Sequence, residues 1–331
     1  MYCSNNLKIS LDRFLATLYV NELEINTKDF NNSLSLKNQI IGAYDDISYY
    51  LPNNSLAFNV VIDGSKFSKI IHCEISSEYH RIKEQINNVK TLLSANNQAA
   101  WTVVTVYYAC FFMGNLFSRL LGRTTINFSA ENLKKIFTED KFPVLSTVHQ
   151  ESLRDLKNGT NQTYTCLIER DQTESQVKIR LIPGGDKPHQ AVWVNFNAIV
   201  NQVISKRSGS DVNELQLLKK IFDNSQKKFP LPSQLRNDWN YSDQKYFSNL
   251  GSDEARKFIH LLKDRRALEA WIAEQTKISK LAANTSTPED KVCSLAFVYT
   301  VFTDIFNQLT NLEVNPNNSK IKIKLHKKRK K

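Results

Sequence analysis

A stretch of fourteen residues in the C-terminal half carries side chains that suit an anion-binding site. It runs from Ser233 to Tyr246 and reads Ser-Gln-Leu-Arg-Asn-Asp-Trp-Asn-Tyr-Ser-Asp-Gln-Lys-Tyr. Neither an apolar core nor a purely solvated helix face requires an arginine, amides, two carboxylates and aromatic rings so close together. The composition indicates a phosphate-binding segment whose rings can also stack on a base.

Helical spacing decides which of these side chains share a face. The prolines before the segment end the preceding element, so we expect Ser233 to cap a new helix. Residues four apart lie together, which pairs Arg236 with Asn240 and Asn237 with Tyr241. Guanidinium, amide and phenol groups would then surround one phosphate. A structural alternative stays open, in which Arg236 pairs with a carboxylate at the edge of the core.

A second stretch, from Thr105 to Gly122, reads Thr-Val-Tyr-Tyr-Ala-Cys-Phe-Phe-Met-Gly-Asn-Leu-Phe-Ser-Arg-Leu-Leu-Gly. It resembles the Tyr-Tyr-rich helix of HEPN-type bundles, where a Tyr-Tyr-Ala-x-Phe pattern leads to a Leu-Leu-x-Gly end. The run from Arg236 to Tyr241 resembles the signature of the same superfamily, an arginine followed by a polar residue and then a histidine. The resemblance implies a helical bundle.

The resemblance also implies a role for each residue. Many HEPN proteins are metal-independent ribonucleases of toxin–antitoxin and antiviral defence systems, and others are non-catalytic RNA-binding or scaffold domains. By this resemblance Arg236 is the catalytic or phosphate-binding arginine, Asn237 is its polar helper, and Tyr241 stands where the family has histidine. A tyrosine with an ordinary pKa near ~10 is a poor base at neutral pH. RNA cleavage and a non-catalytic binding or scaffold role in a multi-protein defence complex therefore both remain open.

The sequence has no motif for nucleotide binding, serine-hydrolase catalysis or metal binding. The sequence has no nucleotide-binding glycine fingerprint, no Gly-x-Ser-x-Gly and no His, Cys, Asp or Glu set at metal-ligand spacing. His260, on the next predicted helix, is the histidine that could supply a base, and a structural role is the simpler interpretation. We expect no cofactor and no metal.

The positive charge is concentrated at one end of the chain. The net charge is +11, and Lys320 to Lys331 contains eight Lys or Arg and no acid, so the other 319 residues carry +3. This segment predicts either a nucleic-acid-binding arm or a solvated end, and its first residues alternate as in an edge strand. The expected nucleic-acid contacts, besides Asn240, are Lys263, Arg265, Arg266, Lys327, Lys328, Arg329, Lys330 and Lys331. The expected partners are RNA or another nucleic acid, protein subunits of a defence complex and a second copy of the chain.

The sequence has five cysteines, an odd number, and no two of them have Cys-x-x-Cys spacing. This cysteine usage indicates a reducing compartment. The first ten residues have no apolar segment, so we expect no secretory signal and a cytoplasmic protein. The apolar run from Ala99 to Leu121 could be mistaken for a membrane span, but it includes Asn115 and Arg119. We expect a core helix and no stable membrane insertion.

The remaining pattern predicts a mainly α protein, a helical bundle with small antiparallel β insertions. We expect a mixed N-terminal region over 1–76, a HEPN-like helical domain over 77–312 with a β insertion at about 160–196, and a basic tail over 313–331. The predicted bundle helices are Gln98 to Gly122, Ser233 to Asn249, Ser252 to Lys280 and Glu289 to Leu312. In the N-terminal region, Leu36 to Leu51 reads as a helix, and Leu56 to Asp63 with Phe67 to Ile75 reads as a β-hairpin. The predicted strands of the insertion are Tyr164 to Ile168, Val177 to Ile182 and Ala191 to Phe196.

Overall fold

The protein is mainly α-helical with a small antiparallel sheet, as the sequence predicted. The structure is a computed structural model that describes residues 2–17, 22–26, 34–42, 44–50, 57–95, 99–137, 161–170, 175–184, 188–207, 212–223, 228–229, 231–241, 249–310 and 320–324. Its helices are α1 (Tyr2–Thr17), α2 (Leu36–Gly42), α3 (Gly64–Ala95), α4 (Ala99–Leu120), α5 (Ala130–Ile136), α6 (Pro188–Ile204), α7 (Val212–Phe222), α8 (Pro232–Tyr241), α9 (Asn249–Lys263), α10 (Arg265–Gln275), α11 (Ile278–Ala282) and α12 (Pro288–Thr310). Its strands are β1 (Glu22–Asn26), β2 (Asp46–Tyr50), β3 (Ala57–Asp63), β4 (Arg123–Phe128), β5 (Gln162–Arg170), β6 (Gln176–Gly184) and β7 (Lys320–Lys324).

The chain divides into two compact units, each made of separate segments. One, the helical unit, comprises Met1–Ser10, Glu78–Phe117 and Val192–Asn311. The other, the sheet unit, comprises Leu11–Ser77, Ser118–Ala191 and Leu312–Lys331.

Aromatic side chains fill the core of the helical unit. Phe302 of α12 meets Phe196 of α6 edge to face, with ring centroids 4.8 Å apart. Trp193 stacks on Phe222 of α7 at 5.6 Å. The ring centroid of Tyr107 on α4 lies 6.0 Å from that of Trp193, and Tyr107 is fully buried. These rings supply much of the apolar area that stabilises the unit.

The close approach of α4 to its neighbours depends on a small residue. A Cβ added at Gly114 would lie 3.3 Å from both Phe302 and Val192. Most larger side chains would have to displace these core groups. The apolar pattern that predicted a core helix here is therefore confirmed.

The sheet unit contains a five-stranded antiparallel sheet in the order β2-β3-β6-β5-β4. Alternate residues of β3, β5 and β6 are buried, and Tyr164 on β5 contacts Phe58 and Phe128 at 5.3 and 5.7 Å. The strands predicted around Tyr164 to Ile168 and Val177 to Ile182 are confirmed as β5 and β6. They join β2 and β3 in one sheet, a pairing that local sequence patterns do not reveal.

A separate two-stranded sheet pairs β1 with β7 in antiparallel register. The register places Glu22 opposite Lys324 and Glu24 opposite Lys322. The alternating segment at the start of the basic tail thus forms a strand, as expected.

The predicted returning strand from Phe67 to Ile75 is wrong, because these residues belong to α3. The Asp63 carboxylate accepts hydrogen bonds from the backbone N–H groups of Ser65 and Lys66 at 2.9 and 3.1 Å, which caps the helix. The sequence Asp63-Gly64 therefore starts a helix instead of a hairpin turn. The buried positions, Phe67, Ile70, Ile71 and Ile75, have helical spacing.

Two further predictions from the sequence, one of a strand and one of a helix, are wrong. Ala191 to Phe196 was expected to be a strand but lies in α6, where proline occupies the first helical position and the buried residues recur every three or four positions. Leu36 to Leu51 was expected to be one helix, but α2 ends at Gly42 and β2 begins at Asp46. Pairing of β2 with β3 overrides the local helical pattern.

The helix predicted from Ser252 to Lys280 is also wrong as a single element. It is interrupted at Asp264, whose backbone is extended and whose carboxylate accepts from the N–H groups of Arg266 and Ala267. Asp264 thus ends α9 and caps α10, a position that aspartate favours over helix interiors. A third short helix, α11, follows before α12.

Candidate nucleic-acid interface

Helix α8 is anchored in the helical unit by buried side chains that lie beside Arg236. Leu235 and Trp239, four residues apart, are buried at 4% and 1% exposure. The helix begins at Pro232, and Gln234 and Leu235 donate backbone hydrogen bonds to the Leu231 carbonyl. The expectation that Ser233 caps the helix is wrong, since Ser233 lies inside the first turn.

Arg236 lies between two tyrosine rings. Its guanidinium is 5.5 Å from the ring centroid of Tyr108 on α4 and 5.3 Å from that of Tyr241 on α8. Nη2 donates a 2.6 Å hydrogen bond to the Tyr108 hydroxyl, and Nη1 donates a 2.8 Å hydrogen bond to Oδ1 of Asn237. Arg236, Tyr108, Asn237 and Tyr241 are called the Arg236 site below.

The hydrogen bonds of Arg236 leave donors for a ligand. A guanidinium has five N–H groups, and each Nη carries two of them. One N–H of each Nη is used by Tyr108 and Asn237, while the buried Nε has no hydrogen-bond partner among the described residues. No described residue accepts from the second N–H of either Nη, which leaves one N–H on each for an oxyanion as far as the described residues are concerned.

The electrostatics of the site favour an anion. The hydrogen bond to Tyr108 raises the pKa of the Arg236 guanidinium, and partial burial opposes that rise. No ion pair joins Arg236 to a carboxylate within the described part of the chain. Arg236 is half-buried and Tyr241 is 70% exposed, so solvent reaches the site. The cation is rigidly held yet keeps its full charge.

The site offers no imidazole to act as a base. Hydrogen bonds from Arg236 reach Tyr108 and Asn237, and no described histidine takes part. His260 is exposed on α9, where its carbonyl accepts from Asp264 N–H. The arrangement can hold and orient a phosphate, but it lacks a group that exchanges protons near neutral pH.

The other residues that were predicted to contact nucleic acid lie in different environments. Asn240 is half-buried and lies four positions after Arg236 in α8, so the two share a helix face as expected, but no hydrogen bond joins them. Lys263 and Arg266 are exposed. Arg265 is bound by Asp304 at 2.9 Å and by Glu269 at 3.3 Å. Residues Lys327, Lys328, Arg329, Lys330 and Lys331 lie outside the described residues.

Buried thiols and possible metal ligands form no second reactive centre in the described part of the chain. No group of three or more described His, Cys, Asp or Glu side chains could hold a metal ion. Burial raises the pKa of Cys293 to about 12 and that of Cys110 well above its ordinary value. Both thiols are therefore protonated at neutral pH and act as small core hydrophobes.

Tyr108 is the member of the site that the sequence pattern did not assign. It lies 128 positions before Arg236 in the chain, so no local spacing relates the two. A usable signal existed in α4, where Trp101, Thr105, Tyr108 and Phe112 lie on one helical face that is exposed or half-buried. An aromatic stripe outside the core of an apolar helix is a reason to look for a partner.

Two helices, α4 and α12, are long and apolar enough to cross a membrane. About two thirds of the apolar window in each is buried within the protein, as in the core helix of a soluble domain. Composition and length alone are weak evidence of membrane insertion.

No protein-family model, curated protein or solved structure matches this chain.

Proposed function

We propose that this chain is a cytoplasmic, HEPN-like RNA-binding protein that acts in antiviral defence or as a toxin. The observation that carries the proposal is the position of Arg236 beside the rings of Tyr108 and Tyr241, where the described residues provide no carboxylate partner and no acceptor for one N–H on each Nη.

In this position Arg236 is better placed to bind a phosphodiester than to form an ion pair with a carboxylate of its own chain. The Tyr108 and Asn237 hydrogen bonds fix the plane of the guanidinium, so little side-chain freedom is lost when a phosphate binds. The exposed ring of Tyr241 gives a nearby face on which a base can stack. Phosphate and base recognition would thus occur side by side.

Binding, rather than cleavage, is the activity that these residues support best. Tyr241 takes the place of the family histidine, and its phenol is a poor proton acceptor at neutral pH. We propose that Arg236, Asn237 and Tyr241 bind RNA and that any cleavage requires a base from outside the Arg236 site.

The test uses the purified full chain with a labelled single-stranded RNA pool in a metal chelator. The wild-type chain should bind RNA, and Arg236→Ala should weaken binding by roughly 10- to 100-fold, since a hydrogen bond to a charged group contributes ~1.5–3 kcal/mol. The matched control is Arg180→Ala, which removes an arginine of the sheet unit whose side chain is 40% exposed. Equal losses for both variants would contradict the proposal, as would unchanged binding by Arg236→Ala. RNA degradation that Arg236→Ala abolishes at an unchanged melting temperature would assign catalysis to the site instead.

A second candidate function is a non-catalytic subunit of a defence complex that contacts nucleic acid through its basic tail. The five cations from Lys327 to Lys331 favour it. Replacing them with glutamine, and leaving β7 intact, separates the two functions. Loss of all binding in that variant, with normal binding by Arg236→Ala, would favour the subunit function.

A further inference from the structure

One face of α4 carries a line of accessible side chains that begins at the Arg236 site. Trp101, Thr105, Tyr108 and Phe112 follow one another at spacings of four, three and four, which keeps them on one face. Trp101 is 47% exposed, and the other three are half-buried. By the helical rise, the line from Trp101 to Phe112 is ~16 Å long.

Helix α3 supplies the opposite wall with the same spacing. The side chains concerned are Arg81, Gln85, Asn88 and Leu92. The guanidinium of Arg81 lies 5.0 Å from the ring centroid of Phe112. At the other end, a groove of about 370 Å³ is lined by Gln85, Asn88, Thr91 and Leu92 of α3 and by Trp101 and Thr105 of α4.

Beyond the groove, at the Phe112 end of the same face, two rings and two cations are in contact. Tyr108 stacks on Phe112 with centroids 6.3 Å apart. Arg236 lies over Tyr108, and Arg81 lies over Phe112. Arg81 also forms a 3.1 Å ion pair with Glu78, but half of its side chain is exposed, so a phosphate can compete for it.

We infer that this groove between α3 and α4, called the α3–α4 groove, is a base-stacking track for single-stranded RNA that runs from the Arg236 site to Trp101. Aromatic faces hold successive bases with little sequence preference, and flanking cations hold the backbone. The amides of Gln85 and Asn88 add hydrogen-bond partners for base edges. This inference rests on the proposed function, because it extends the binding surface of the same site.

The chemistry of the groove selects this occupant over others. A duplex keeps its bases stacked on each other and cannot offer their faces to Trp101. An amphipathic protein helix would require an apolar stripe, whereas the groove wall contributed by α3 consists of two amides and a hydroxyl beside Leu92.

Trp101 is also a built-in probe. The chain has four tryptophans, and the other three are buried at 0%, 1% and 6% exposure (Trp193, Trp239 and Trp271). Base stacking on Trp101 should quench its fluorescence. The quenched fraction should disappear in Trp101→Phe, which keeps a ring for binding.

The experiment titrates the full chain with an oligouridylate of about 12 nucleotides, a length within the range of known single-strand sites. Trp101→Leu, which keeps apolar bulk but removes the aromatic face, should weaken binding roughly tenfold or more. Trp101→Phe should stay within about threefold of wild type. Ile278→Ala, at an 87% exposed residue of α11, is the control for loss of an exposed apolar side chain and should bind normally.

The outcomes separate this inference from the proposed function. If Arg236→Ala loses binding while Trp101→Leu binds normally and wild-type fluorescence is not quenched, the Arg236 site holds RNA but the groove does not. If the wild-type chain binds no RNA, both ideas are overturned. An oligothymidylate of the same length should bind if stacking and phosphate contacts dominate. Stronger binding of duplex RNA than of the single strand would overturn the track.

Discussion

Arg236 Nη2 and the Tyr108 hydroxyl are joined by a 2.6 Å hydrogen bond between α8 and α4. The bond fixes the guanidinium over the Tyr108 ring while leaving one N–H on each Nη available. A tyrosine from the apolar helix thus holds the cation on which the functional proposal depends.

The variant Tyr108→Phe tests this positioning. It keeps the ring but removes the hydroxyl that accepts from Arg236, so the guanidinium should lose its fixed orientation. We expect a loss of ~1–2 kcal/mol in the free energy of unfolding and severalfold weaker RNA binding. Urea unfolding and a binding titration measure the two effects, and unchanged RNA affinity would show that the hydroxyl does not position Arg236.

The RNA affinity should depend steeply on salt if the basic tail contributes. Replacing Lys327, Lys328, Arg329, Lys330 and Lys331 with glutamine removes as many as five phosphate contacts. The slope of log K against log salt should then become less steep by up to ~3.5. Binding titrations at several salt concentrations give the slope. An unchanged slope would show that the tail is a solvated end.

Asp290, in the first turn of α12, should make the helical unit sensitive to acid. Its carboxylate accepts hydrogen bonds from the indole N–H of Trp271 at 2.8 Å and from Lys257 at 3.4 Å. Burial raises the pKa of Asp290, but the hydrogen bonds from Trp271 and Thr287 and the charge of Lys257 outweigh it, so the net pKa is lowered. A lowered pKa stabilises the fold above the unfolded value of ~3.9, and this contribution is lost as pH falls through the folded value.

The check on Asp290 is a comparison of unfolding at two pH values. Asp290→Ala leaves the Trp271 N–H unsatisfied and should cost ~2–3 kcal/mol at pH 7. The difference between wild type and variant should shrink below about pH 4, where the wild-type carboxylate becomes protonated. A difference that stays constant with pH would contradict the role of the ionised carboxylate.

Gly122 should be intolerant of a side chain. It follows α4 with a φ of 79°, a conformation that costs other residues ~1–2 kcal/mol, and its carbonyl accepts a 2.8 Å hydrogen bond from Ile168 N–H. Gly122→Ala should lower the free energy of unfolding by about that amount. Gly42→Ala, at a glycine with open space around its Cβ position, is the control, and equal losses for both would refute the conformational explanation.

Local pattern predicted the elements that depend on local physics. The apolar face of α4 and the alternation of β5 and β6 were both readable, because periodicity acts over a few residues. At Asp63-Gly64 the same turn signal fits a hairpin and a helix cap. The Asp63 carboxylate caps α3, and the Gly64 N–H donates a hydrogen bond to the Ser175 carbonyl. That contact is distant in sequence and invisible to local reasoning.

The candidate site likewise combines residues that local spacing predicted with one that it did not. Arg236, Asn237 and Tyr241 were predicted as a group because they share one short helix. Their partner Tyr108 was not, since tertiary packing alone brings α4 beside α8. Asn240 was predicted on the same face and shares the helix, but no hydrogen bond joins it to the guanidinium.

The most direct test of the central claim is the RNA affinity of Arg236→Lys in the full chain. Lysine keeps the positive charge but lacks the planar fork that lies between two rings and shares its donors with Tyr108 and Asn237. We predict RNA binding roughly tenfold or more weaker than wild type, measured at a temperature at which both proteins are fully folded. Wild-type affinity in Arg236→Lys would show that only charge matters and would contradict the account.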